Sequence, residues 1–137
     1  MPDPGLVAEF ERVTDAAAET FGIALADLLS RSARPIYAEP RMVAMAVLRR
    51  KGYPLQAIGD LFERDHASVW NAERTIERRV SGDAEYAEMV RLIAEGTPYQ
   101  DDDLRRALDL QRRAEDLLRE SRRILERLAP VEIRRTA

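Results

Sequence analysis

The stretch PLQAIGDLFERDHASVWNAERTIERRV, residues 54–80, predicts two helices joined by a tight turn. The first helix, over 54–62, repeats apolar residues at helical spacing: Leu55, Ile58, Leu61 and Phe62. The second helix, over 66–80, has the same spacing at Val69, Ala72, Ile76 and Val80. Glu63-Arg64 forms the turn, and Asp65 is of a residue type that caps helix N-termini well. A short helix, a tight turn and a longer helix make the outline of a helix-turn-helix.

The rest of the chain also predicts helices, so the whole is expected to be all-α. No stretch alternates apolar and polar residues in steps of two, as strands do. Further helices are expected at residues 4–21, 23–30, 40–51, 84–95 and 102–129. Pro35 and Pro40 predict a loop over 31–39 with a helix starting at Pro40, and residues 81–83 predict a break. The 40–51 helix is apolar almost all round, which predicts that it is the central buried helix.

Length and composition limit the kinds of protein this can be. A chain of 137 residues supports one domain, expected at 1–96, plus an appendage at 97–137. Cysteine is absent, the N-terminus lacks signal-peptide features, and no apolar run is long enough to span a bilayer. These features predict a cytoplasmic protein without membrane contact. The net charge is −3, but residues 31–80 carry ten basic and six acidic side chains. This block is therefore the candidate for approaching phosphates, because local charge decides that ability.

His66 is the chain's only histidine, and it follows Arg64 and Asp65, which raises the question of a catalytic cluster. Adjacent residues on a helix point in different directions, so these three residues cannot form a catalytic triad. One histidine and scattered carboxylates make no credible metal site. The sequence contains neither a serine nucleophile elbow nor a glycine-rich phosphate-binding loop. We therefore expect no enzyme activity, no catalytic residue, no metal, no cofactor and no bound nucleotide.

The same residues suit a helix that enters the major groove of DNA, because such a helix presents its first turn to the base edges. His66 and Ser68 can hydrogen-bond to bases, and the Ala67 methyl can touch a thymine methyl. Arg64 can meet guanine or a phosphate, and the free N–H groups of the helix start favour a nearby phosphate. The outline alone does not separate DNA binding from ordinary capping of a surface helix, since many all-α proteins contain such a helix pair.

Four stretches resemble the C-terminal DNA-binding domain of the DnaA family, the bacterial replication initiators, in the order in which that domain has them. They are FGIALADLLS at 21–30, AEPRMVAMAVLR at 38–49, PLQAIGDLFERDHASVWNA at 54–72 and the acidic helix after residue 83. The family signature at the recognition helix runs phenylalanine, two glycines, arginine, aspartate, histidine, small hydroxyl residues and valine. This chain has FERDHASV at 62–69. The resemblance covers about Val13 to Gly96 and implies a Trp-repressor-like helix-turn-helix bundle, here with an extra long C-terminal helix.

The resemblance implies a role for each matching position, with double-stranded DNA as the partner. The residues that read bases in the major groove are Arg64, Asp65, His66, Ala67 and Ser68. The residues that contact the DNA backbone are Arg41 and Arg49, together with Leu55 and Gln56 at the start of a short helix that rests on a phosphate. The family also inserts a loop arginine into the minor groove. The aligned residue here is Ala33, flanked by Arg31 and Arg34.

The chain departs from the family pattern in the turn and in its extent. The turn before Arg64 is one residue short, and Glu63 replaces the glycines, which places a negative charge close to DNA. Ala67 replaces a hydroxyl residue and loses a hydrogen bond. The sequence preference is therefore expected to differ from the DnaA box. We also expect that no AAA+ ATPase domain precedes this module, unlike in a full initiator.

Two further features carry expectations of their own. The last predicted helix has a heptad seam at Ala107, Leu110, Ala114, Leu117, Ser121, Ile124 and Leu128, widened by Leu104, Leu108, Leu118 and Leu125. Such a stripe must be buried, either against its own domain, against another copy in a homodimer, or against a protein partner. Trp70, one helical turn after His66, is expected to pack half-buried rather than to face DNA. Arg74, Arg78 and Arg79 alternate with glutamates, as on a solvated helix face.

The sequence thus predicts a nucleoid-associated, sequence-specific double-stranded DNA-binding protein that acts in transcription regulation or in control of replication initiation. Residues 64–68 would read bases, while Arg41, Arg49 and the 31–34 loop would position the phosphates. The alternative is a protein-interaction module that does not bind DNA and uses its C-terminal helix. Glu63 and the acidic flanks favour that alternative, whereas Arg64-Asp65-His66 favours DNA.

Overall fold

The computed structural model describes residues 2–128, with the backbone alone for Leu104. The helices of this part are α1 Pro4–Phe21, α2 Leu25–Leu28, α3 Pro35–Arg50, α4 Leu55–Phe62, α5 His66–Gly82, α6 Ala84–Ala94 and α7 Asp102–Leu128. Residues 2–128 contain no strand, so the predicted all-α class is confirmed. Met1, residues 129–137 and the Leu104 side chain lie outside the described residues. These residues include the outer ends of the predicted segments 1–96 and 97–137 and the predicted end of the last helix. Leu104 was predicted to widen the seam of that helix.

The helix α3 is the centre of the bundle, as predicted for residues 40–51. It packs against α1, α2, α4, α5 and α6. Its buried residues are Ile36, Pro40, Arg41, Val43, Ala44, Met45, Ala46, Val47 and Leu48. Around it, Phe10 of α1 meets Phe62 of α4 edge to face, with 5.0 Å between the ring centroids. This contact packs α4 against α1, while α5 packs against both α3 and α4.

The predicted loop over 31–39 is wrong in its second half, because α3 begins at Pro35 and continues through Pro40. Pro35 occupies the first turn, where a missing N–H leaves no hydrogen bond unmade. Pro40 withholds one bond from the carbonyl group of Ile36. Both Ile36 and Pro40 are buried in the bundle. The burial of Ile36 and Pro40 therefore outweighs the lost hydrogen bond, and one continuous helix forms.

The helix α5 ends later than predicted, at Gly82, and α6 follows after the single residue Asp83. The Asp83 carboxylate accepts hydrogen bonds from the N–H groups of Glu85 and Tyr86, at 3.0 and 3.1 Å. It thereby caps α6, as aspartate does at helix N-termini. The predicted break over 81–83 is therefore one residue long.

The long helix α7 touches the bundle with only one side of its first half. Its half-buried residues are Leu108, Arg112 and Glu115, and its other described side chains are exposed. Arg112 donates a hydrogen bond of 2.5 Å to the carbonyl oxygen of Gly22, at the end of α1. Of the predicted apolar stripe, Leu108 packs against the core of its own domain, whereas Leu110, Leu117, Leu118, Ile124, Leu125 and Leu128 are exposed. Within residues 2–128, no helix combines the length and the apolar character needed to cross a membrane.

Candidate nucleic-acid interface

The helices α4 and α5 form the predicted helix-turn-helix, and a glycine sets how closely they approach. A β-carbon at Gly59 would lie 2.5 Å from the carbonyl oxygen of Arg64, so a larger residue cannot occupy this position without a shift of the turn. The N–H group of Arg64 donates to the carbonyl oxygen of Gly59 at 2.8 Å. The start of α5 is therefore fixed directly against the middle of α4.

Glu63 ends α4 in the left-handed backbone conformation, with φ 55° and ψ 42°. Among the described residues it is the only non-glycine residue with positive φ. A β-carbon makes this conformation unfavourable by about 1–2 kcal/mol, whereas the glycines of the family pattern would adopt it freely. The Glu63 carboxylate lies in solvent, 3.9 Å from the Arg31 guanidinium. The turn thus carries backbone strain and a negative charge at Glu63.

Asp65 is the N-cap of α5, as predicted. Its carboxylate accepts hydrogen bonds from the N–H group of Ser68 at 2.9 Å and from the Ser68 hydroxyl at 2.8 Å. The bonds from the backbone and then from the hydroxyl of Ser68 hold the pKa of Asp65 below its usual value. Two of the five predicted base-reading residues therefore bind each other. His66 and Ala67 are exposed beside them.

Arg64 ties the turn to the segment between α2 and α3. Its guanidinium donates a hydrogen bond of 3.1 Å to the carbonyl oxygen of Ser30, and the side chain is half-buried. This contact brings the predicted minor-groove segment 31–34 beside the start of α5. The predicted base-reading and loop residues therefore lie at one edge of the domain.

Arg41 is buried, with 4% exposure, in contrast to the prediction of a phosphate contact. Its guanidinium donates to the carbonyl oxygens of Leu28 at 2.8 Å and Ser32 at 3.0 Å. Burial and the nearby positive charge of Arg64 lower the pKa of Arg41, although arginine remains charged. The phosphate assignment is corrected, because a buried guanidinium bonded to carbonyls has no surface to offer DNA. Arg41 instead fixes the segment that carries Arg31 and Arg34.

The other three predicted backbone-contacting arginines reach the surface, and each lies beside carboxylates. The pairs are Arg31 with Glu63 at 3.9 Å, Arg49 with Glu73 at 3.4 Å, and Arg34 with Glu115 and Asp116, both at 3.3 Å. The partners of Arg34 belong to α7, so the C-terminal helix covers part of the predicted loop contact. The Arg31–Glu63 pair is exposed and worth about 1 kcal/mol or less, so a phosphate can readily replace its carboxylate. The Arg34–Glu115 and Arg49–Glu73 pairs are half-buried, and solvent screens them less.

Leu55 and Gln56 begin α4, directly after its N-cap Pro54. Gln56 is exposed, whereas Leu55 is half-buried and packs against the core. The carbonyl oxygen of Tyr53 accepts a hydrogen bond of 3.0 Å from Arg49. Arg49 therefore lies beside the start of α4, where backbone N–H groups are free for an anion.

Trp70 is 46% exposed, so the prediction that it packs half-buried against the core is wrong. The Arg74 guanidinium lies over its ring, 4.8 Å from the centroid. Positions four apart on a helix share a face, so Trp70 stands on the same side of α5 as His66. The sequence contained this signal in the four-residue spacing. Trp70 and Arg74 thus extend the candidate interface along α5.

Across residues 2–128, no group of three or more histidine, cysteine, aspartate or glutamate side chains is arranged to hold a metal ion. What the surface offers is an exposed imidazole, an indole, a methyl group and several guanidinium groups. These are groups that hydrogen-bond, stack on or attract nucleic acids.

Comparisons with known proteins agree with this geometry. Residues 10–76 match the family described as the bacterial dnaA protein helix-turn-helix. The chromosomal replication initiator protein DnaA of Methylacidiphilum infernorum is 34% identical over 94 residues, which cover 67% of this chain and 21% of that protein. DnaA 2 of Protochlamydia amoebophila is 34% identical over 74 residues, which cover 53% of this chain and 16% of that protein.

A relative from onion yellows phytoplasma, also a chromosomal replication initiator protein DnaA, is 29% identical over 84 residues, covering 61% of this chain and 17% of the relative. The chain therefore spans about a fifth or less of the length of these relatives. The matched segment contains α2 to α4, most of α1 and the first eleven residues of α5. Residues 10–76, just under half of the chain, therefore form a DNA-binding helix-turn-helix domain of the bacterial DnaA type.

Proposed function

We propose that this protein binds double-stranded DNA sequence-specifically through the start of α5. The observation that carries the proposal is the exposure of His66 and Ala67 at a rigidly capped helix start, within a DnaA-type domain. A recognition helix enters the major groove with this turn first. The Asp65 cap and the close approach at Gly59 support the proposal, because they hold the base-reading side chains in one orientation before DNA arrives.

Base reading is assigned to residues 64–68, with His66 as the central contact. His66 can donate to or accept from a base edge, and Ala67 offers a methyl group to thymine. Asp65 and Ser68 already satisfy each other, so we assign them mainly to holding the helix start. Arg64 bonds to Ser30 in the free protein and reaches a base or phosphate only by leaving that carbonyl.

Phosphate positioning is assigned to Arg31, Arg34 and Arg49, and to the N-terminus of α4 at Leu55 and Gln56. Each of the three arginines exchanges its carboxylate partner for a phosphate when DNA binds. The N–H groups at the start of α4 donate to a phosphate, which the helix dipole also attracts. These contacts fix the domain on the duplex without selecting a sequence.

The proposed role is regulatory and lies at the nucleoid. The protein would occupy chosen sites and so control transcription or replication initiation. The relatives are named replication initiators, and this chain covers only a minor part of them. Residues 10–76 supply DNA binding and not a catalytic step, so occupancy of a site is the activity that we propose.

A protein-interaction role without DNA binding is the second candidate, favoured by the carboxylates beside Arg31, Arg34 and Arg49. Selection from a random duplex pool, followed by a mobility shift against a DnaA-box competitor, separates the two. We expect enrichment of one defined motif, which differs from the DnaA box because of Glu63 and Ala67. No enrichment at low salt would contradict sequence-specific binding and favour the second candidate.

A further inference from the structure

Most of the large apolar side chains that are exposed within residues 2–128 lie on α7. Six of its large apolar side chains are between 42% and 65% exposed: Leu110, Leu117, Leu118, Ile124, Leu125 and Leu128. Single exposed apolar residues are ordinary on protein surfaces, but a continuous stripe of this kind marks an interaction site. We call these six residues the leucine stripe.

The leucine stripe and the bundle lie on different sides of α7. The helix holds its own domain through Leu108, Arg112 and Glu115, and beyond Glu115 every described side chain is exposed. Apart from the contact between Asp116 and Arg34, the second half of α7 therefore has no packing within its own chain. Isolated helices of about 12–15 residues are marginal in water, so an amphipathic helix of this kind gains its stability by packing against something else.

We propose that the leucine stripe pairs with the stripe of a second copy of this chain, with the two α7 helices antiparallel. Leu118 of one copy meets Ser121 of the second copy, and Ala114 of one copy meets Leu125 of the second copy. The overlap extends from Gln111 to Leu128 and is about 27 Å long at 1.5 Å per residue. This inference goes beyond DNA binding and does not depend on it.

The sizes of the seam residues support the antiparallel orientation. A parallel pair would place Ala114 opposite Ala114 and Ser121 opposite Ser121, with leucine layers between them. Two such layers of small side chains would leave gaps between the helices. The antiparallel pair sets one leucine against one small residue in each of these layers, which fills the space evenly.

The charges beside the seam support the same orientation. In the antiparallel pair, Glu115 lies beside Arg122 of the second copy, and the contact occurs twice because of the two-fold axis. In a parallel pair the position facing Glu115 is Leu110, and the position facing Arg122 is Leu117. Glu115 also contacts Arg34 of its own domain at 3.3 Å. The leucine stripe is therefore complementary to its own reverse, first in the sizes of its residues and then in this charge pair, which is why we assign a second copy as the partner.

The mass of the full chain in solution tests the pairing without any DNA. Light scattering after size exclusion should give about twice the 15.6 kDa of one chain. The double variant Leu118→Gln/Leu125→Gln should give one chain, with the dissociation constant raised by about a hundredfold or more. Both leucines are exposed within their own chain, so the variant keeps the fold, which circular dichroism checks.

The matched control is Arg123→Gln, on the side of α7 opposite Ala114, since nine residues correspond to half a turn beyond two full turns. It should keep the mass of two chains. A wild-type protein of single-chain mass at all concentrations would overturn the proposal. An unchanged mass in the double leucine variant would overturn it as well, and so would a wild-type mass above two chains.

The absence of cysteine from the chain allows the orientation to be tested by cross-linking. Ala114→Cys and Leu125→Cys are made in separate chains that differ in tag length. The antiparallel pair predicts a disulfide only when the two variants are mixed, because equal positions lie far apart along the axis. Disulfides within each variant alone would show a parallel pair and contradict the proposed orientation. No disulfide under any condition would contradict the pairing itself.

Discussion

At the scale of single residues, Glu63 combines a strained backbone with a charge that DNA would repel. Its φ of 55° suits glycine, and its carboxylate lies 3.9 Å from Arg31. The strain acts on the stability of the domain, whereas the charge acts on the affinity for DNA. Two substitutions at this one position can separate these effects.

Glu63→Gly is expected to raise the free energy of unfolding by about 1 kcal/mol, because glycine adopts the left-handed conformation without a β-carbon clash. Urea denaturation measures this change. Glu63→Gln is the matched control, since it keeps the β-carbon and removes the charge. Both variants should bind DNA more tightly than the wild type at low salt. A stabilised Gln variant would contradict the assignment of strain to the backbone.

His66→Ala is expected to weaken binding to the selected duplex by about 1–3 kcal/mol, because a direct base contact is lost. Fluorescence anisotropy with the selected site and with an unrelated duplex measures the change. Affinity for the unrelated duplex should remain the same, since phosphate contacts are untouched. His66 is exposed, so the fold should not respond. Equal affinity of variant and wild type for the selected site would remove His66 from the reading surface.

Asp116→Asn is expected to tighten DNA binding about twofold to fivefold at low salt, because it removes one carboxylate beside Arg34. The matched control is Asp109→Asn, which changes the net charge equally but pairs with Arg113, away from Arg34. The gain should vanish in the Arg34→Ala background. An equal gain in the Asp109 variant would point to a general charge effect instead.

At the scale of elements, Arg41 connects α3 to the end of α2 and to the segment before α3. It donates to the carbonyl oxygens of Leu28 and Ser32. Without the Arg41 side chain, both oxygens would lose this donor. Sequence reasoning treated Arg41 as one of the basic residues on a DNA-facing surface. Whether an arginine points inward or outward depends on the helices around it. The local sequence does not specify how those helices pack.

Arg41→Ala is expected to lower the free energy of unfolding by about 2–4 kcal/mol, because two carbonyl groups lose a charged donor in a buried site. Urea denaturation measures the loss. Arg49→Ala is the contrasting variant, since Arg49 is only half-buried and its partners are the Tyr53 carbonyl oxygen and Glu73. It should lower the free energy of unfolding less than Arg41→Ala does, and reduce the salt slope of DNA binding by about one unit. If Arg41→Ala reduced the salt slope and Arg49→Ala caused the larger loss of stability, both assignments would be reversed.

Pro40 shows a second limit at this scale. A proline within a helix removes one hydrogen bond and normally predicts a boundary. Here the boundary lies five residues earlier, at Pro35, because burial of Ile36 and Pro40 favours a continuous α3. The helices α4 and α5 were easier to predict than the start of α3. Gly59, Asp65 and the apolar spacing determine them through contacts within a few residues of each other.

At the scale of the whole molecule, two copies joined through α7 would present two recognition helices related by a two-fold axis. Such a pair favours DNA with two inverted half-sites. Selection from a random pool should then enrich inverted repeats for the wild type and single half-sites for Leu118→Gln/Leu125→Gln. Single half-sites for both proteins would show that pairing and DNA reading are independent. This prediction rests on both proposals and therefore comes after their separate tests.

The sequence by itself determined the all-α class, the helix-turn-helix, the Asp65 cap and the DnaA family resemblance. The first three follow from apolar periodicity, capping chemistry and spacing, which operate over short distances along the chain. The resemblance rests on the matching stretches at 21–30, 38–49 and 54–72. The tertiary structure alone decided that Arg41 is buried, that Trp70 is exposed and that Arg34 faces Glu115 and Asp116. It also decided that the stripe of α7 points away from its own domain. Burial and pairing depend on contacts between residues far apart in the chain, which no local pattern contains.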